Sequence, residues 1–350
     1  LDEIALYHLP HLQELHQLLF FAPCLISNCH LLHLKEQLQM KFSKLFFLSQ
    51  LLFLFSLKGT AASDTLVKKQ NKKAPVFSNV VYQGNDAIYK NNPLKLETKG
   101  TKILELPAGG YNNHWTRNLL ASPDGSKIYV SVGSGSNNGE NGMEHEVRRA
   151  NILEINPDGT GEKIYASGLR NPVGMDWNPA NNELWTAVNE RDDLGDELVP
   201  DYITSVKRDG FYGWPYSYFG QIEDPRMKGQ AKDLVAKAIV PDVSVEAHTA
   251  SLGLAFYDKD AFPAEYKNGA FVGQHGSWNR SKLSGYKVLF VPFKNGKPSG
   301  KPQDFLTGFI ANEEKAQVYG RPVAVTVMND GSLLVNDDSG NTIWQVRANK

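Results

Sequence analysis

The sequence predicts an all-β fold of the β-propeller class, on three observations. An apolar strand, an Asp-Gly turn and a second apolar strand recur from about residue 80, most clearly at residues 119–130 and 324–335. Asp-Gly between β-rich runs predicts a hairpin, because the turn needs residues that tolerate positive φ. Hairpins that recur with no helical period between them favour a propeller. Aromatic residues at 11%, with 30 Gly and 18 Pro, fit the same turn-rich class.

Three further stretches repeat the hairpin theme less closely. Residues 175–188 carry a longer turn, and residues 152–159 and 254–272 are looser copies. Together the repeats predict four to five blades, with residues 80–89 as the last part of a blade whose beginning is absent. A β-sandwich is the alternative fold, but the likeness of the repeats and the long spacers between them argue against it.

Length and charge narrow the class of protein. The 350-residue chain is 41% hydrophobic and 21% charged, a globular composition sufficient for one large or two modest domains. Its formal net charge of −1 gives no overall field that would favour nucleic acid or an anionic membrane. We therefore expect no nucleic-acid partner.

Residues 40–62 have the pattern of an export signal. Met40 is followed by two lysines, an apolar run at residues 45–57 and small residues that end at Ala62. This order is typical of a secretory signal cleaved after the small residues, and the apolar run is short for a membrane span. The pattern predicts a periplasmic or secreted protein with no stable membrane insertion after cleavage. An uncleaved anchor is the alternative.

The other N-terminal segments differ in composition from the propeller region. Residues 1–39 are rich in Leu and His, begin with Leu rather than Met, and are interpreted as a spurious upstream extension. Residues 63–78 are Lys-rich and polar and are interpreted as a linker. Residues 79–350 are then the catalytic propeller domain. Both cysteines, Cys24 and Cys29, precede the predicted cleavage point, so cysteine usage does not define the redox compartment.

The stretch at residues 168–200 combines a cation with an acidic loop. Arg170 and Asn171 precede an apolar strand, and the hairpin that follows ends in a loop that contains Glu190, Asp192 and further carboxylates. An arginine fork suits an anionic ligand, and an oxygen-rich loop suits a hard cation such as Ca²⁺. The stretch could therefore hold an anion and a metal together. A solvated acidic loop is the alternative.

Possible ligand contacts lie in loops next to the predicted strands. His114 leads into the hairpin at residues 119–130, where it could act as a general base or as a structural hydrogen-bonding group. The aromatic run at residues 211–216 could stack on a sugar or pack in a blade corner. Cations in such loops could converge on one polyanionic ligand, or they could be scattered over the surface. These cations are Arg117, Arg170, Arg280, Lys282 and Arg321.

At these motifs the sequence resembles the glucose/sorbosone dehydrogenase family, especially its L-sorbosone dehydrogenase-like branch. The resemblance rests on GGYNNHWTRNLLASPDG, GLRNPVGMDW, NERDDLGDELVPD, FYGWPY, HGSWNR and GRPVAV. It implies an exported six-bladed propeller that uses pyrroloquinoline quinone (PQQ) and Ca²⁺ to oxidise a sugar or sugar aldehyde by hydride transfer to the quinone. Family members carry one to two more blades before the match begins, so we expect this chain to lack part of the first blades.

The resemblance also implies roles for individual residues. His114 matches the catalytic base, and Arg170 matches a catalytic residue that, with Asn171, holds the quinone and its developing charge. The backbone carbonyls of Glu190, Arg191 and Asp192 match the Ca²⁺ site. PQQ is a planar tricarboxylate, and each charge-assisted hydrogen bond to it contributes roughly 1.5–3 kcal/mol. The predicted cofactor-binding residues are Arg117, Arg170, Asn171, His275, Asn279, Arg280, Lys282 and Arg321.

Two other functions fit parts of the pattern. A Ca²⁺-dependent hydrolase of the lactonase type needs carboxylates and asparagines from several blades around one metal, whereas the acids here concentrate in one loop. A non-catalytic propeller scaffold is the third hypothesis, and it would be indifferent to loss of His114. The sequence does not define the sugar, the electron acceptor (a quinone or a cytochrome) or the oligomeric state.

Overall fold

The computed structural model describes residues 102–107 and 113–349. These residues belong to one compact unit, residues 99–350. The predictions of an upstream extension, an export signal and a linker, and the possible blade remnant at residues 80–89, lie outside the described residues. In the part that the structure describes, no helix is both long enough and apolar enough to cross a membrane.

The described ranges are nearly all-β, and four principal sheets follow one another along the chain. The first sheet has the order β1-β2-β3-β4-β8, in which only β8 runs parallel to its neighbour. Its strands are β1 (Arg117–Ala121), β2 (Ile128–Val132), β3 (Asn151–Ile155), β4 (Lys163–Ser167) and β8 (Gly210–Phe211).

The next three sheets are antiparallel and have four, four and three strands. The second, in the order β11-β7-β6-β5, contains β5 (Asn171–Trp177), β6 (Leu184–Asn189), β7 (Pro200–Ser205) and β11 (Val243–Ala247). The third contains β12 (Ser251–Phe256), β13 (Ala270–Gln274), β14 (Lys287–Val291) and β17 (Gln303–Leu306). The fourth contains β20 (Pro322–Val327), β21 (Leu333–Asp337) and β22 (Thr342–Val346).

Shorter elements join these sheets. The two-stranded ribbons are β9 (Ser217–Tyr218) with β10 (Ile222–Glu223), β15 (Phe293–Lys294) with β16 (Lys297–Pro298), and β18 (Ile310–Asn312) with β19 (Gln317–Val318). One α-helical turn, α1 (Lys232–Val235), and three 3₁₀ turns (Met143–Glu146, Pro225–Met227 and Ala264–Tyr266) complete the described elements.

The repeats found in the sequence are hairpins. β1 pairs with β2 across the first Asp-Gly turn, and β20 pairs with β21 across the second. In the first turn Gly125 has φ +71°, and Asp124 accepts hydrogen bonds from the Ser122 hydroxyl (2.6 Å) and the Ser126 amide (3.0 Å). These bonds lower the pKa of Asp124 to about 2. The ionised carboxylate is thus bound into the turn that reverses the chain.

Three hydrophobic cores in the described part of the chain lie between successive sheets. Residues of the first and second sheets share one core, to which Ile152 and Leu184 belong. A second core joins the second and third sheets through Trp185 and Leu289, and a third joins the third and fourth sheets. Four sheets that pack in succession rule out a two-sheet sandwich. The arrangement is the one that the propeller prediction requires of neighbouring blades.

The first strand of each principal sheet lies at one edge of that sheet, and these edge strands contact each other: β1 contacts β5, β5 contacts β12, and β12 contacts β20. Glycines permit this close approach. A Cβ on Gly174 would lie 2.4 Å from Leu252 O, and one on Gly253 would lie 2.6 Å from Val323 O. The loops that precede these first strands therefore come close together.

Candidate functional site

A cavity of about 280 Å³ lies where the loops before β1, β5 and β12 meet. Its volume is close to the lower end of the roughly 300–1,000 Å³ typical of small-molecule sites. The lining contains the predicted base, the Arg-Asn pair and part of the acidic loop. The lining residues are Asn113, His114, Trp115, Arg170, Asn171, Asn189, Glu190, Asp192, Asp201, His248, Ala250 and Trp278.

His114 is held so that one ring nitrogen remains available as a base. Its Nδ1 lies 3.0 Å from Ser134 O and 2.9 Å from Ser134 Oγ, and that hydroxyl donates to Ser136 O at 2.6 Å. Because the carbonyl can only accept, the network assigns the ring proton to Nδ1 and leaves Nε2 unprotonated. Burial, with the nearby Arg170 cation, lowers the pKa of His114 well below its usual range. The imidazole is therefore neutral near pH 7.

Arg170 is 3% exposed and organises the acidic loop. Its Nε and Nη2 donate to the main-chain and side-chain oxygens of Asn137 at 2.9 and 2.8 Å. Its Nη1 donates to Glu190 O (2.6 Å) and Asn189 O (3.4 Å), and Nη2 lies 3.5 Å from Asp192 Oδ2. The pKa of Arg170 lies below its usual value, because burial lowers it by more than the surrounding carboxylates, led by Asp192, raise it. The protein itself occupies the guanidinium fork that the sequence assigned to a ligand.

The pairing of β5 with β6 explains why Arg170 meets the acidic loop. Asn171 opens β5 and lies opposite Asn189, the last residue of β6. Arg170, which precedes Asn171, is therefore a neighbour of Glu190, which follows Asn189. Asn171 is 7% exposed, and its Oδ1 has no hydrogen-bond partner among the described residues. A Cβ on Gly133 would lie 2.3 Å from that oxygen and 2.6 Å from His114 Cβ. Because glycine has no side chain, the Asn171 amide and His114 can both pack against Gly133 in the wall of the cavity.

Two buried carboxyl groups complete the floor of the cavity. Glu190 is 5% exposed, and burial raises its pKa to about 8, so the group is protonated near pH 7. Its Oε1 is buried and has no hydrogen-bond partner in the described part of the chain, so the O–H of the protonated group is an unsatisfied donor. Burial also raises the pKa of Asp201 to about 6, although its carboxylate accepts from the Glu190 amide (2.8 Å) and the Thr249 hydroxyl (2.8 Å).

Two of the three backbone carbonyls predicted to bind Ca²⁺, those of Glu190 and Asp192, already accept hydrogen bonds. Glu190 O accepts from Arg170, and Asp192 O accepts from Arg191 Nε at 2.8 Å. Arg191 is 5% exposed and forms an ion pair with Asp224 at 2.9 Å, which fixes the loop from its other side. A carbonyl oxygen has two lone pairs. Glu190 O therefore retains one acceptor position, whereas Asp192 O also accepts from Asn137 Nδ2 at 3.4 Å. Within residues 102–107 and 113–349, no group of three or more His, Cys, Asp or Glu side chains is arranged to hold a metal ion.

His248 also lines the cavity, although the sequence interpretation did not select it. Its Nδ1 lies 3.0 Å from Asp192 Oδ1, and its Nε2 donates to Gly195 O at 2.9 Å. The residue connects the acidic loop to the loop before β12. Since His114 was selected for its place in a loop that leads into a first strand, the same criterion would have found His248. Asp201 carried no comparable signal, because it lies within β7.

Several predicted cofactor-binding residues lie outside the cavity lining. Arg321 donates to the carbonyls of His275 (2.8 Å) and Gly276 (2.6 Å), and its guanidinium stacks over the ring of Tyr286. The His275 ring contacts Asp338 at 2.9 Å, and burial lowers the pKa of His275. These contacts tie the loop after β13 to the loop before β20. Arg321 therefore has a structural role in this conformation.

The remaining predicted contacts also have protein partners or face solvent. Arg117 donates to His114 O at 2.7 Å, and Arg280 pairs with Glu197 at 2.8 Å. Lys282 is exposed. The structure thus differs from the expectation that the loop cations converge on one ligand. Most of these cations instead donate hydrogen bonds to loop carbonyls or form ion pairs with carboxylates of the protein. The predicted residues outside the lining are Arg117, Arg191, His275, Asn279, Arg280, Lys282 and Arg321.

The aromatic residues at the cavity are not those of the run at residues 211–216. Tyr212 is fully buried and donates to Ser205 O at 2.6 Å, and Trp214 is 4% exposed. That run packs a corner between sheets, which was the alternative to sugar stacking. Trp115 and Trp278, each 75% exposed, line the cavity instead.

Comparison with known proteins identifies the family. Residues 86–284, more than half of the chain, match the Glucose / Sorbosone dehydrogenase family. The chain therefore belongs to the glucose/sorbosone dehydrogenase family, as its motifs indicated. Residues 221–349 also match a family described as TrAA12-like.

Two relatives show how far the similarity extends. An uncharacterized protein of Borreliella burgdorferi is 34% identical over 248 residues, which cover 69% of this chain and 62% of the relative. The aldose sugar dehydrogenase of Escherichia coli is 32% identical over 123 residues, which cover 34% of this chain and 30% of that enzyme. The chain thus spans less than two thirds of the length of either relative.

Solved structures share the fold. The Trichoderma reesei carbohydrate-active enzyme of family AA12 superposes with a TM-score of 0.56 at 21% identity, covering 66% of this chain and 67% of that one. The PQQ domain of Coprinopsis cinerea pyranose dehydrogenase, in its holo form, superposes with a TM-score of 0.55 at 22% identity, covering 67% and 70%. At this identity the likeness concerns the fold.

Proposed function

We propose that this chain is a sugar oxidoreductase of the quinoprotein type, in which His114 removes the hydroxyl proton of the substrate. The family supports the reaction class, and related proteins are named as PQQ-dependent dehydrogenases of pyranose. The observation that carries the proposal is the state of His114: Nδ1 is saturated by Ser134, Nε2 is unprotonated, and the ring lines a polar cavity. We retain a β-propeller as the architecture and assign the four sheets to its blades.

A neutral imidazole is suited to this task. Its lowered pKa keeps Nε2 able to accept a proton down to mildly acidic pH. Ser134 fixes the orientation of the ring, so no reorientation precedes proton transfer. A positioned general base of this kind contributes about 10²–10⁴ in rate.

The lining fits a planar, hydrogen-bonding cofactor such as PQQ in part. When bound, PQQ supplies the quinone carbon that accepts the hydride. Asn171 Oδ1 and the Glu190 O–H are buried groups that lack partners among the described residues and are available to a ligand. Arg170 lies beside them as the buried cation of the lining. The carbonyls of Glu190, Arg191 and Asp192 are the candidates for Ca²⁺. Glu190 O has a spare lone pair, whereas Asp192 O already accepts two hydrogen bonds.

The proposal is tested by reconstitution. The purified chain is mixed with PQQ and Ca²⁺, and dye-linked oxidation of aldoses is measured. We expect turnover in the wild type and a loss of about 10²–10⁴ in His114→Ala, with the absorbance of bound cofactor retained in the variant. His145→Ala, which removes a histidine outside the cavity lining, is the matched control and should keep wild-type turnover.

Other outcomes identify the alternative functions. Hydrolysis of a lactone with Ca²⁺ but without quinone would replace the proposal with a hydrolase. Absence of both bound cofactor and turnover would leave the scaffold hypothesis. For localisation we propose export, based on the pattern at residues 40–62, and we expect the mature protein to begin at Ser63 when its N-terminus is sequenced.

A further inference from the structure

We propose that Glu146 is a positioning residue for His114 and that it acts through the buried residues 134–136. We call these three residues the base-support segment. The inference rests on the proposed function, because it extends the role of His114 as the general base to the group that fixes its orientation. Glu146 is not among the residues that line the cavity, so its effect on the reaction is indirect.

The base-support segment is buried although it has no regular secondary structure. It belongs to the stretch GSGSNNG at residues 133–139, directly after β2, in which glycine, serine and asparagine leave the backbone many conformations. Ser134 and Ser136 are nevertheless fully buried. The Ser134 amide donates to Arg170 O at 2.8 Å, but a loop of this composition needs further contacts to remain in one conformation.

Glu146 supplies two of these contacts. The residue is 6% exposed, its Oε2 accepts from the Gly135 amide at 2.8 Å, and its Oε1 accepts from the Ser136 hydroxyl at 2.5 Å. Because Ser136 Oγ itself accepts from the Gly139 amide at 3.0 Å, its proton is directed to Glu146. A buried carboxylate is costly unless its oxygens are hydrogen-bonded, and here both are. The carboxylate therefore joins two successive residues of the base-support segment.

The contacts of Glu146 lead to the base. The Ser134 hydroxyl donates to Ser136 O at 2.6 Å, so the position of that carbonyl decides where the hydroxyl points. This hydroxyl and the Ser134 carbonyl are the two atoms next to His114 Nδ1, at 2.9 and 3.0 Å. Displacement of the segment would release Nδ1 and allow the ring proton to move to Nε2. A neutral ring protonated at Nε2 cannot accept the substrate proton at that atom.

The first test follows the ring proton of His114 in the chain without cofactor. NMR of the ¹⁵N-histidine-labelled chain distinguishes a ring nitrogen that carries a proton from one that does not, and His114→Ala assigns the signals. We expect Nδ1 to be protonated in the wild type. Glu146→Gln keeps the size of the side chain but has one acceptor oxygen instead of two, and it should show a mixture of both tautomers. Glu144→Gln, at an exposed carboxylate of the same 3₁₀ turn, is the matched control and should keep the wild-type signals.

The second test measures whether Glu146 affects catalysis through His114. After reconstitution with PQQ and Ca²⁺, Glu146→Gln should lower kcat about ten- to hundredfold with little change in KM, because a misplaced base slows proton transfer while the substrate still binds. In the His114→Ala background the same substitution should change kcat by no more than about twofold, since residues that act as a unit are not additive.

A second variant covers the case in which Glu146→Gln does not fold. Ser136→Ala keeps the carboxylate and its bond from Gly135, and we expect a smaller change of the His114 signals in the same direction. Unchanged His114 signals in both variants, or an equal loss of kcat with and without His114, overturns the proposal.

Failure of the proposed function has a different result. If the wild type neither binds quinone nor oxidises sugar, but the tautomer of His114 depends on Glu146, the oxidoreductase function is refuted and the positioning role is supported. Sugar oxidation by the wild type, with a tautomer that neither variant alters, supports the function and refutes the positioning role.

Discussion

Replacement of Glu190 by glutamine tests whether the cavity contains a neutral carboxyl group. Burial raises the pKa of Glu190 to about 8, against 4.5 for a solvated glutamate. Between these values the folded chain holds a proton that the unfolded chain has released. The free energy of unfolding therefore falls as the pH rises through this window, and the contribution is fully present only below pH 4.5.

The size of the effect follows from the pKa difference. At 1.36 kcal/mol per pH unit, the shift corresponds to about 5 kcal/mol over the whole window. His114 acts in the opposite direction, because its lowered pKa makes stability rise with pH up to about 6.5. Above pH 6.5 that contribution is complete. The interval from pH 6.5 to 8 therefore isolates Glu190, which should contribute a loss of about 2 kcal/mol there.

The assay is urea unfolding at pH 6.5 and pH 8, followed by intrinsic fluorescence in the presence of EDTA, with stability obtained by linear extrapolation. We expect the wild type to lose about 2 kcal/mol more than Glu190→Gln between the two pH values, since the amide is a neutral isostere of the protonated acid. Glu265→Gln, at an exposed carboxylate, is the control and should follow the wild type. Parallel pH profiles for the wild type and Glu190→Gln would refute the reasoning.

Three further changes test the geometry of the site. Gly133→Ala should lower stability by about 1–3 kcal/mol and reduce turnover, because its Cβ would collide with Asn171 and His114; an unchanged melting temperature would contradict this. Arg170→Lys should cost at least about 2 kcal/mol in urea unfolding, since one ammonium cannot replace the fork, and a loss below about 0.5 kcal/mol would be inconsistent with it. Ser134→Ala should reduce kcat by no more than about tenfold, because the Ser134 carbonyl still holds Nδ1, and a loss as large as that of His114→Ala would show that the hydroxyl is essential.

The hairpins were predictable from the sequence because their determinants are local. In the Asp-Gly turns the aspartate side chain accepts a hydrogen bond from the backbone amide two residues later. Asp124 and Asp330 both do so. The meeting of Arg170 with the acidic loop also follows from local information, since the ends of a hairpin are neighbours by construction. The position of His114 in the cavity was also predictable, because His114 lies in the loop before β1 and the loops before the first strands come close together.

The partners of the long cationic side chains were not predictable. An arginine in a loop can reach many carbonyl oxygens, and only the packing of neighbouring loops decides among them. Arg321 donates hydrogen bonds to the carbonyls of His275 and Gly276, and Arg117 donates one to the carbonyl of His114. The burial of Tyr212, which belongs to a corner between sheets, is likewise a tertiary property that the aromatic run does not reveal.

The central claim is that one cavity joins the base His114, Asn171 and the loop of Glu190 around a quinone. A visible absorption spectrum, recorded after the chain is mixed with PQQ and Ca²⁺, tests it most directly. We expect the spectrum of the bound oxidised cofactor, and we expect glucose to convert it to that of the reduced form. A spectrum identical to that of free PQQ, unaltered by glucose, would contradict the claim.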